Sequence, residues 1–441
     1  MNFETTRVER ASYGLFFVGQ NIIYLLMLQF LNLFYTDVLG INAISVGVLF
    51  LVARSWDAIN DPILGGIVDR CNFKGGKFMP WIKVVNLLLP LMTLLIFIDP
   101  NLGEGGNLVY AYATYIIWGM VYTLCDVPIF ALSTAMARNS NERVIILTWG
   151  RVAAILAGLI VASTGMPLID AFGWTQTAMI LCVIAMLVMM PIRIYVIERY
   201  RSIEPSTTIQ QSFSFLLYHK PMKIFYFALL LTMGMNTTLV SGNYFAIYNL
   251  GNGQTDWVMP LMLSAFLPML ALALAIPLLI KRLGKRQIFI NSMIIGALIS
   301  IAQYFLGYHS IELVLVLNAV RSGALMLPLL LLGMFSADFV EYGQYHMDRR
   351  LEGITFSIQT FMTKLTQALA AGGGGILLGL WGYIPNIDQS AETLNGLFVL
   401  FTLVPAVGAM LAAWVMWKFY DLAETSVQGM IDEMRKKVAQ H

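Results

Sequence analysis

The chain has 441 residues, of which 58% are hydrophobic and 12% are charged, with a formal net charge of +2. Ordinary soluble domains are about 45–50% apolar and about 25% charged. This composition, with a mean hydropathy of +0.73, excludes a soluble globular protein and predicts one that crosses the lipid bilayer several times. The small net charge gives no reason to expect a nucleic-acid partner. Residues 1–12 are polar and lead directly into an apolar run, so we expect no cleavable signal peptide.

Twelve stretches of the chain are apolar over the roughly 20 residues that a helix needs to span a bilayer. They predict an all-α polytopic membrane protein with twelve transmembrane helices. The approximate spans are 12–35, 44–66, 81–99, 108–131, 145–165, 175–195, 222–247, 257–280, 287–307, 311–333, 353–379 and 394–418.

The distribution of Lys and Arg predicts the orientation. If the N-terminus is cytoplasmic, the six loops on the outside contain no Lys or Arg, whereas the inner segments carry many, among them Arg70, Lys77 and Arg138. The positive-inside rule then predicts that both termini are cytoplasmic. We expect a multi-pass protein of a bacterial cytoplasmic membrane. The outside loops are 36–43, 100–107, 166–174, 248–256, 308–310 and 380–393.

The longest inner connection divides the predicted helices six and six. It spans residues 198–221 and is polar, as expected for a linker between an N-terminal bundle (1–197) and a C-terminal bundle (222–420). Residues 421–441 form a cytoplasmic tail. Paired six-helix halves are a common plan of transporters, which hold the substrate near the membrane midplane. We expect such a chain to work as a monomer.

The second predicted span carries charges that are costly inside a membrane. Asp57 and Asp61 are four residues apart and therefore share a helix face, with Arg54 and Asn60 beside them. Each central charge costs about 2.5–3.5 kcal/mol on insertion scales. Two ionised carboxylates one turn apart repel each other, and a bound cation, a shared proton or a nearby Lys would relieve this. Static ion pairs are the competing interpretation.

Oxygen ligands near these carboxylates favour a sodium site. Sodium is a hard cation, so by analogy with calcium and magnesium it prefers oxygen. Asp57 and Asp61 supply four oxygens, and Asn60 and Thr123 can add two more. Lys364, on the eleventh span, can fill the same space as an internal cation when sodium is absent. The predicted cation site is therefore Asp57, Asn60, Asp61, Thr123 and Lys364.

Polar and aromatic residues around this site favour a sugar. Asp126 lies one turn after Thr123, and with Arg151 it can hydrogen-bond several hydroxyls. Neutral amides and aromatic rings complete the candidate set, although each aromatic by itself more often packs against lipid or core. The candidate substrate residues are Gln20, Asn21, Tyr24, Asp126, Phe130, Trp149 and Arg151.

Residues 52–62, Val-Ala-Arg-Ser-Trp-Asp-Ala-Ile-Asn-Asp-Pro, resemble the helix II signature of the glycoside–pentoside–hexuronide:cation symporters, a branch of the major facilitator superfamily. The resemblance implies the major facilitator fold, with two six-helix bundles. Other matching motifs follow in the right order along the chain. They are Ser12-Tyr13-Gly14, 34–38, Gly76-Lys77-Phe78, Tyr122-Thr123, Asp126, Pro128, Arg151, Ala337-Asp338, Glu341-Tyr342-Gly343, Gln359-Thr360 and Lys364.

The resemblance also implies roles for single residues. Asp57, Asn60, Asp61 and Thr123 match the family's cation-site positions, Lys364 matches a lysine close to that site, and Asp126 and Arg151 match sugar-site positions. The chain departs from the family's melibiose carrier at two places. It has Gln20-Asn21 where that carrier has a lysine–aspartate pair, and Phe130 where that carrier has a tryptophan. The resemblance therefore implies a retained cation site beside an altered sugar site.

Together these features predict a secondary active symporter that couples sodium, or lithium or a proton, to sugar uptake. A sodium-coupled lysolipid transporter and a non-transporting nutrient sensor are alternatives on the same fold. The spans contain no nucleophile–base set and no metal cluster, so we expect neither an enzyme nor a cofactor other than the coupling ion.

Overall fold

The structure is a computed structural model that describes residues 4–71, 73, 75–137, 140–200, 219–347, 352–422, 426–427, 429–430 and 433–434. Within these ranges the named elements are α-helices and two π-helical turns, and an isolated bridge joins Phe73 to Gly76. The predicted all-α class is confirmed.

Among its described residues, the first half of the chain contains seven helices and the first π-turn, Phe34–Val38. The helices are α1 (Arg7–Leu33), α2 (Ala43–Arg70), α3 (Met79–Ile96), α4 (Gly103–Met136), α5 (Ser140–Phe172), α6 (Trp174–Met189) and α7 (Pro191–Tyr195).

The part of the second half that the structure describes contains eight helices and the second π-turn, Phe245–Leu250. The helices are α8 (Lys220–Leu231), α9 (Met233–Tyr244), α10 (Val258–Leu283), α11 (Lys285–Leu306), α12 (Ile311–Met347), α13 (Glu352–Leu380), α14 (Ala391–Phe401) and α15 (Leu403–Phe419).

Polar caps decide where several helices begin, because the first N–H groups of a helix have no partner within it. Thr6 and Glu9 form a reciprocal capping box at the start of α1. Asn42 accepts a hydrogen bond from the Ile44 N–H at α2, and Ser390 accepts one from the Thr393 N–H at α14. These contacts fix the entry points of helices that position the candidate site.

Eight stretches among the described residues are long and apolar enough to cross a membrane. They are Arg7–Val38, Met79–Ile96, Gly103–Met136, Ile145–Phe172, Trp174–Tyr195, Lys285–Leu306, Ile311–His346 and Ala391–Phe419. Helical structure also covers the other four predicted spans, as α2, α8 with α9, α10 and α13. The orientation of the chain stays a prediction.

The chain forms two compact units. Unit 1 comprises Met1–Ser206, Ala246–Leu263 and Gly375–Gln389, and unit 2 comprises Thr207–Phe245, Ser264–Gly374 and Ser390–His441. Two short segments of the second half of the sequence therefore belong to unit 1. The predicted division into bundles 1–197 and 222–420 stays a prediction.

Unit 1 contains the helices on which most candidate site residues lie. α1 packs against α5 and α6, and α4 packs against α2 and α3. Gly19 permits the close approach of α1 to α6, because a Cβ there would lie 2.5 Å from the Ala185 carbonyl oxygen. At one end of the unit, Arg199 donates two hydrogen bonds to the Glu9 carboxylate, at 2.7 and 2.9 Å. These contacts hold α1 in a fixed place beside α5 and α6.

The core of unit 2 is rich in aromatic side chains. Phe225 stacks on Phe335 with ring centroids 4.5 Å apart and meets Phe289 and Phe339 edge-on. All four rings are buried. α15 packs against α8, α9 and α11, and α11 packs against α12. Lys364 lies on α13 in the part assigned to unit 2.

Candidate functional site

Asp57 is held between α2 and α4. Its Oδ2 accepts a hydrogen bond from Arg54 Nη1 at 3.0 Å, and Arg54 Nη2 donates to the Tyr115 hydroxyl at 3.1 Å. The Asp57 side chain also lies against Gly119, where a Cβ would come within 2.9 Å of Oδ1. Asp57 is 7% exposed, so this ion pair offsets part of the cost of a buried carboxylate.

Asp61 meets α4 one turn further along. The Thr123 hydroxyl donates to Asp61 Oδ1 at 2.6 Å, and Thr123 is buried. Asn60 lies between the two acids in sequence and is also buried, and its Nδ2 has no hydrogen-bond partner among the described residues. A buried amide N–H without a partner costs about 1–3 kcal/mol.

These groups offer oxygen atoms as ligands for a cation. The part of the chain that the structure describes contains no group of three or more His, Cys, Asp or Glu side chains placed to hold a metal ion. The oxygens of Asp61, Thr123 and Asn60 are hard donors of the kind that alkali and alkaline-earth cations prefer. The roles of all five predicted cation-site residues stay predictions, and Lys364 belongs to the other unit.

Six of the seven candidate sugar residues fall into two groups, which lie on α1, α4 and α5. In the first group, Gln20 Nε2 donates to Asp126 Oδ1 at 3.0 Å and lies 3.4 Å from the Tyr122 hydroxyl oxygen. The Tyr24 ring stacks on the Tyr122 ring with centroids 5.3 Å apart. The structure thus brings Gln20, Tyr24 and Asp126 together, with Tyr122 as the residue that joins them.

The second group lies around Phe17. Asn21 Nδ2 donates to the Phe17 carbonyl oxygen at 2.8 Å, and the Phe130 ring meets the Phe17 ring edge-on at 5.3 Å. Phe130 is 48% exposed. Trp149 is similarly exposed and covers Gly14 on α1. The Arg151 side chain lies outside the part of the chain that the structure describes.

An aromatic ladder on α4 was missed by the sequence reasoning. Tyr115 stacks on Trp118 at 5.9 Å, and Trp118 stacks on Tyr122 at 5.1 Å between ring centroids. Trp118 Nε1 also donates to Thr93 Oγ1 on α3 at 2.8 Å. The spacing of three and then four residues was the available signal, because it places all three rings on one helix face. The ladder begins at Tyr115, which accepts from Arg54, and ends at Tyr122, which lies next to the Gln20 amide that donates to Asp126.

α4 therefore contacts both the candidate cation residues on α2 and the candidate sugar residues on α1. Gly119 and Thr123 contact the two acids of α2, whereas Tyr122 and Asp126 contact α1. A ligand that moves α4 would reach both sets of contacts. This geometry permits an ion and a polar solute to influence each other's binding.

Three comparisons with known proteins bear on this arrangement. Residues 12–424 match the family described as MFS/sugar transport protein. The isoprimeverose transporter of Lactiplantibacillus pentosus is 30% identical over 450 residues, which cover 98% of this chain and 92% of the relative. The glucuronide carrier protein homolog of Escherichia coli strain K12 is 28% identical, with 97% and 96% covered. The crystal structure of a D-xylose-proton symporter superposes with a TM-score of 0.68 at 16% identity, covering 94% of this chain and 97% of that one.

The fold and these likenesses define a multi-pass membrane transporter of the major facilitator type, which is not an enzyme. The chain belongs to the MFS/sugar transport protein family. The expected resemblance to the glycoside–pentoside–hexuronide:cation symporters is confirmed, and so is the expected location in a cell membrane.

Proposed function

We propose that the protein is a secondary active symporter that couples the inward movement of sodium, or of a proton, to uptake of a sugar, glycoside or hexuronide by alternating access. The observation that carries this proposal is the juxtaposition on α4. Thr123 donates to Asp61, and Asp126, one turn later, accepts from Gln20. An ion bound at the first pair would act on the helix that presents the second pair.

The family supports the sugar, and the donor set supports the ion. The relatives include an isoprimeverose transporter and a glucuronide carrier homolog, so neutral pentosides and anionic hexuronides are both reasonable substrates. Asp57 and Asp61 supply negative charge for a cation, and Asp57 is already balanced by Arg54. We assign ion binding to Asp57, Asp61 and Thr123, with Asn60 supplying its amide oxygen.

The experiment is uptake into proteoliposomes under separate gradients of sodium, lithium and protons. The panel contains isoprimeverose, D-xylose, methyl β-D-glucuronide and, as the competing class, a lysophospholipid. We expect one sugar to accumulate with one cation gradient. Uptake of the lysophospholipid alone, or binding without accumulation of any solute, would contradict sugar symport.

Variants at the ion pair sharpen this test. Asp61→Asn removes the charge but keeps the shape, so cation-driven accumulation should be lost, whereas energy-independent exchange of the same sugar should persist. Thr123→Val should raise the half-saturating cation concentration about tenfold, because it removes one hydroxyl from the cation. Ser163→Ala is the matched control, since Ser163 donates only to the Ile160 carbonyl oxygen on an exposed part of α5. Normal cation-driven accumulation in Asp61→Asn would overturn the ion assignment.

A further inference from the structure

Two π-turns occupy equivalent places in the two halves of the chain. Residues 32–40 and 243–251 both follow the pattern Asn-x-Phe-x-x-x-x-Leu-Gly. Each pattern contains a π-turn that ends a long helix, Phe34–Val38 after α1 and Phe245–Leu250 after α9. π-helical turns are rare and are frequent at functional sites. Their repetition at matching positions indicates a device that the two halves share.

A hydrogen bond joins the two patterns through the third residue after the Phe of each. These residues are Asp37 and Tyr248, and the Tyr248 hydroxyl donates to Asp37 Oδ2 at 2.9 Å. Tyr383 donates to Asp37 Oδ1 at 2.7 Å, and Thr36 donates to the same oxygen at 2.6 Å. The Asn386 side chain donates to the Asp37 carbonyl oxygen at 2.7 Å. Tyr248 and Tyr383 are both less than a tenth exposed, so the hydrogen bonds that these two hydroxyls donate to Asp37 are shielded from water and strong, whereas Asn386 is exposed.

The cluster joins α1 to the two second-half segments of unit 1. Tyr248 lies in Ala246–Leu263, and Tyr383 and Asn386 lie in Gly375–Gln389. The second of these segments also packs tightly on α2, where a Cβ on Gly375 would lie 2.9 Å from Gly47 Cα. All of these residues fall in or next to loops predicted to lie outside the membrane.

The chain enters these segments at two points where its backbone is unusual. It passes from unit 2 to unit 1 at Phe245–Ala246, where the second π-turn begins, and at Gly374–Gly375, inside the run Gly372–Gly375. Four successive glycines weaken a helix at about 1 kcal/mol each relative to alanine. Both points are therefore suited to bend.

We propose that Asp37, Tyr248, Tyr383 and Asn386 form a latch that holds the two segments onto unit 1, and that this latch opens and closes with the π-turn Phe245–Leu250 and the run Gly372–Gly375 as its hinges. The opening of the latch does not depend on the substrate, whereas its place in a transport cycle rests on the proposed function.

The experiment measures one distance across the latch by double electron–electron resonance. Spin labels are placed at Leu102→Cys and Ile387→Cys, which are both exposed, in a chain whose three native cysteines are replaced by alanine. The test variant is Tyr248→Phe with Tyr383→Phe, which removes both tyrosine hydroxyls from Asp37 and keeps the rings. The control is Tyr13→Phe, because the buried Tyr13 on α1 donates to the Ile129 carbonyl oxygen and makes no contact with Asp37.

We expect one short distance in the parent chain and in Tyr13→Phe. The double variant should add a second, longer distance and raise the ratio of long to short by on the order of tenfold, as loss of a charge-assisted hydrogen bond predicts. Asp37→Asn should shift the ratio in the same direction. An unchanged distance distribution in both variants would overturn the latch.

A hinge variant and an uptake assay separate the two proposals. Gly373→Ala fits without contact, since nothing lies within 4 Å of the added Cβ. In the double-variant background it should lower the population of the longer distance, and an undiminished population would overturn the glycine hinge. A shifted distance distribution in a protein that accumulates no sugar would support the latch and contradict the proposed function.

Discussion

Single residues show how this chain tolerates charge inside apolar helices. Asp57 is balanced by Arg54 on the same helix, Asp61 accepts from Thr123, and Asp126 accepts from Gln20. A buried carboxylate without such partners would cost several kcal/mol.

The Gln20–Asp126 pair yields a prediction about affinity. Gln20→Glu would place a second carboxylate about 3.0 Å from Asp126 Oδ1, the present donor–acceptor distance. Like charges at this range repel, so we expect sugar affinity to fall by about 10- to 100-fold, or by about 1.4–2.7 kcal/mol. Gln20→Met, which adds no charge, should have a smaller effect. Binding of the sugar by isothermal titration calorimetry in detergent measures both.

Asn21 serves as the comparison for that prediction. The Asn21 amide donates to the Phe17 carbonyl oxygen at 2.8 Å. Gln20 and Asn21 therefore hydrogen-bond to different partners, although they are adjacent in sequence. We therefore expect Asn21→Asp to change sugar affinity less than Gln20→Glu does. A larger effect at Asn21 would contradict the assignment of Gln20 as the partner of Asp126.

Among the elements, the broken helix of unit 2 explains a buried arginine. α14 ends at Phe401 and α15 begins at Leu403, and Pro405 follows. Pro405 has no N–H to donate to the Phe401 carbonyl oxygen, its partner in a regular helix. Arg321 Nη1 donates to that oxygen at 2.6 Å, and its guanidinium lies 4.0 Å from the Phe401 ring centroid. The fully buried Arg321 replaces the hydrogen bond that the proline removes.

This interpretation predicts a rescue between two positions. Arg321→Met should destabilise unit 2 by about 2–4 kcal/mol, because it removes the side-chain donor of the Phe401 carbonyl oxygen and one of the two donors of the Asn318 amide oxygen. Pro405→Ala restores an N–H in the same place, so the double variant should recover about 1 kcal/mol. Unfolding in detergent, monitored by tryptophan fluorescence, measures the difference. Strictly additive effects of the two substitutions would argue against a shared carbonyl.

At the scale of the whole molecule, the charge distribution predicts which side each loop faces. The native Cys71 lies in a predicted inner loop and is partly exposed, whereas Leu102 lies in a predicted outer loop and is 62% exposed. We expect a membrane-impermeant maleimide to label Leu102→Cys in intact cells and to label Cys71 only after the membrane is permeabilised. The parent chain without Leu102→Cys is the control. Labelling of Cys71 in intact cells would reverse the predicted orientation.

The sequence by itself determined the membrane class and the helical spans, and it supplied the candidate site residues. Apolar runs of about 20 residues leave the chain no alternative to helices, because a lipid interior cannot satisfy open backbone groups. Charges such as Asp57 and Asp61 are visible in such runs because they are rare there. The family resemblance rested on the same residues, and the match over 12–424 confirmed it.

Only the tertiary structure decided which partners these residues take. Arg54 pairs with Asp57 and Gln20 with Asp126, while the neighbouring Asn21 donates to the Phe17 carbonyl oxygen of the same helix. Asp37, Tyr248 and Tyr383 are more than 100 residues apart in sequence, yet their side chains share hydrogen bonds. Helix periodicity fixes the face on which a side chain stands, but its partner depends on which helix packs there and at what register. Those contacts exist only in the folded chain.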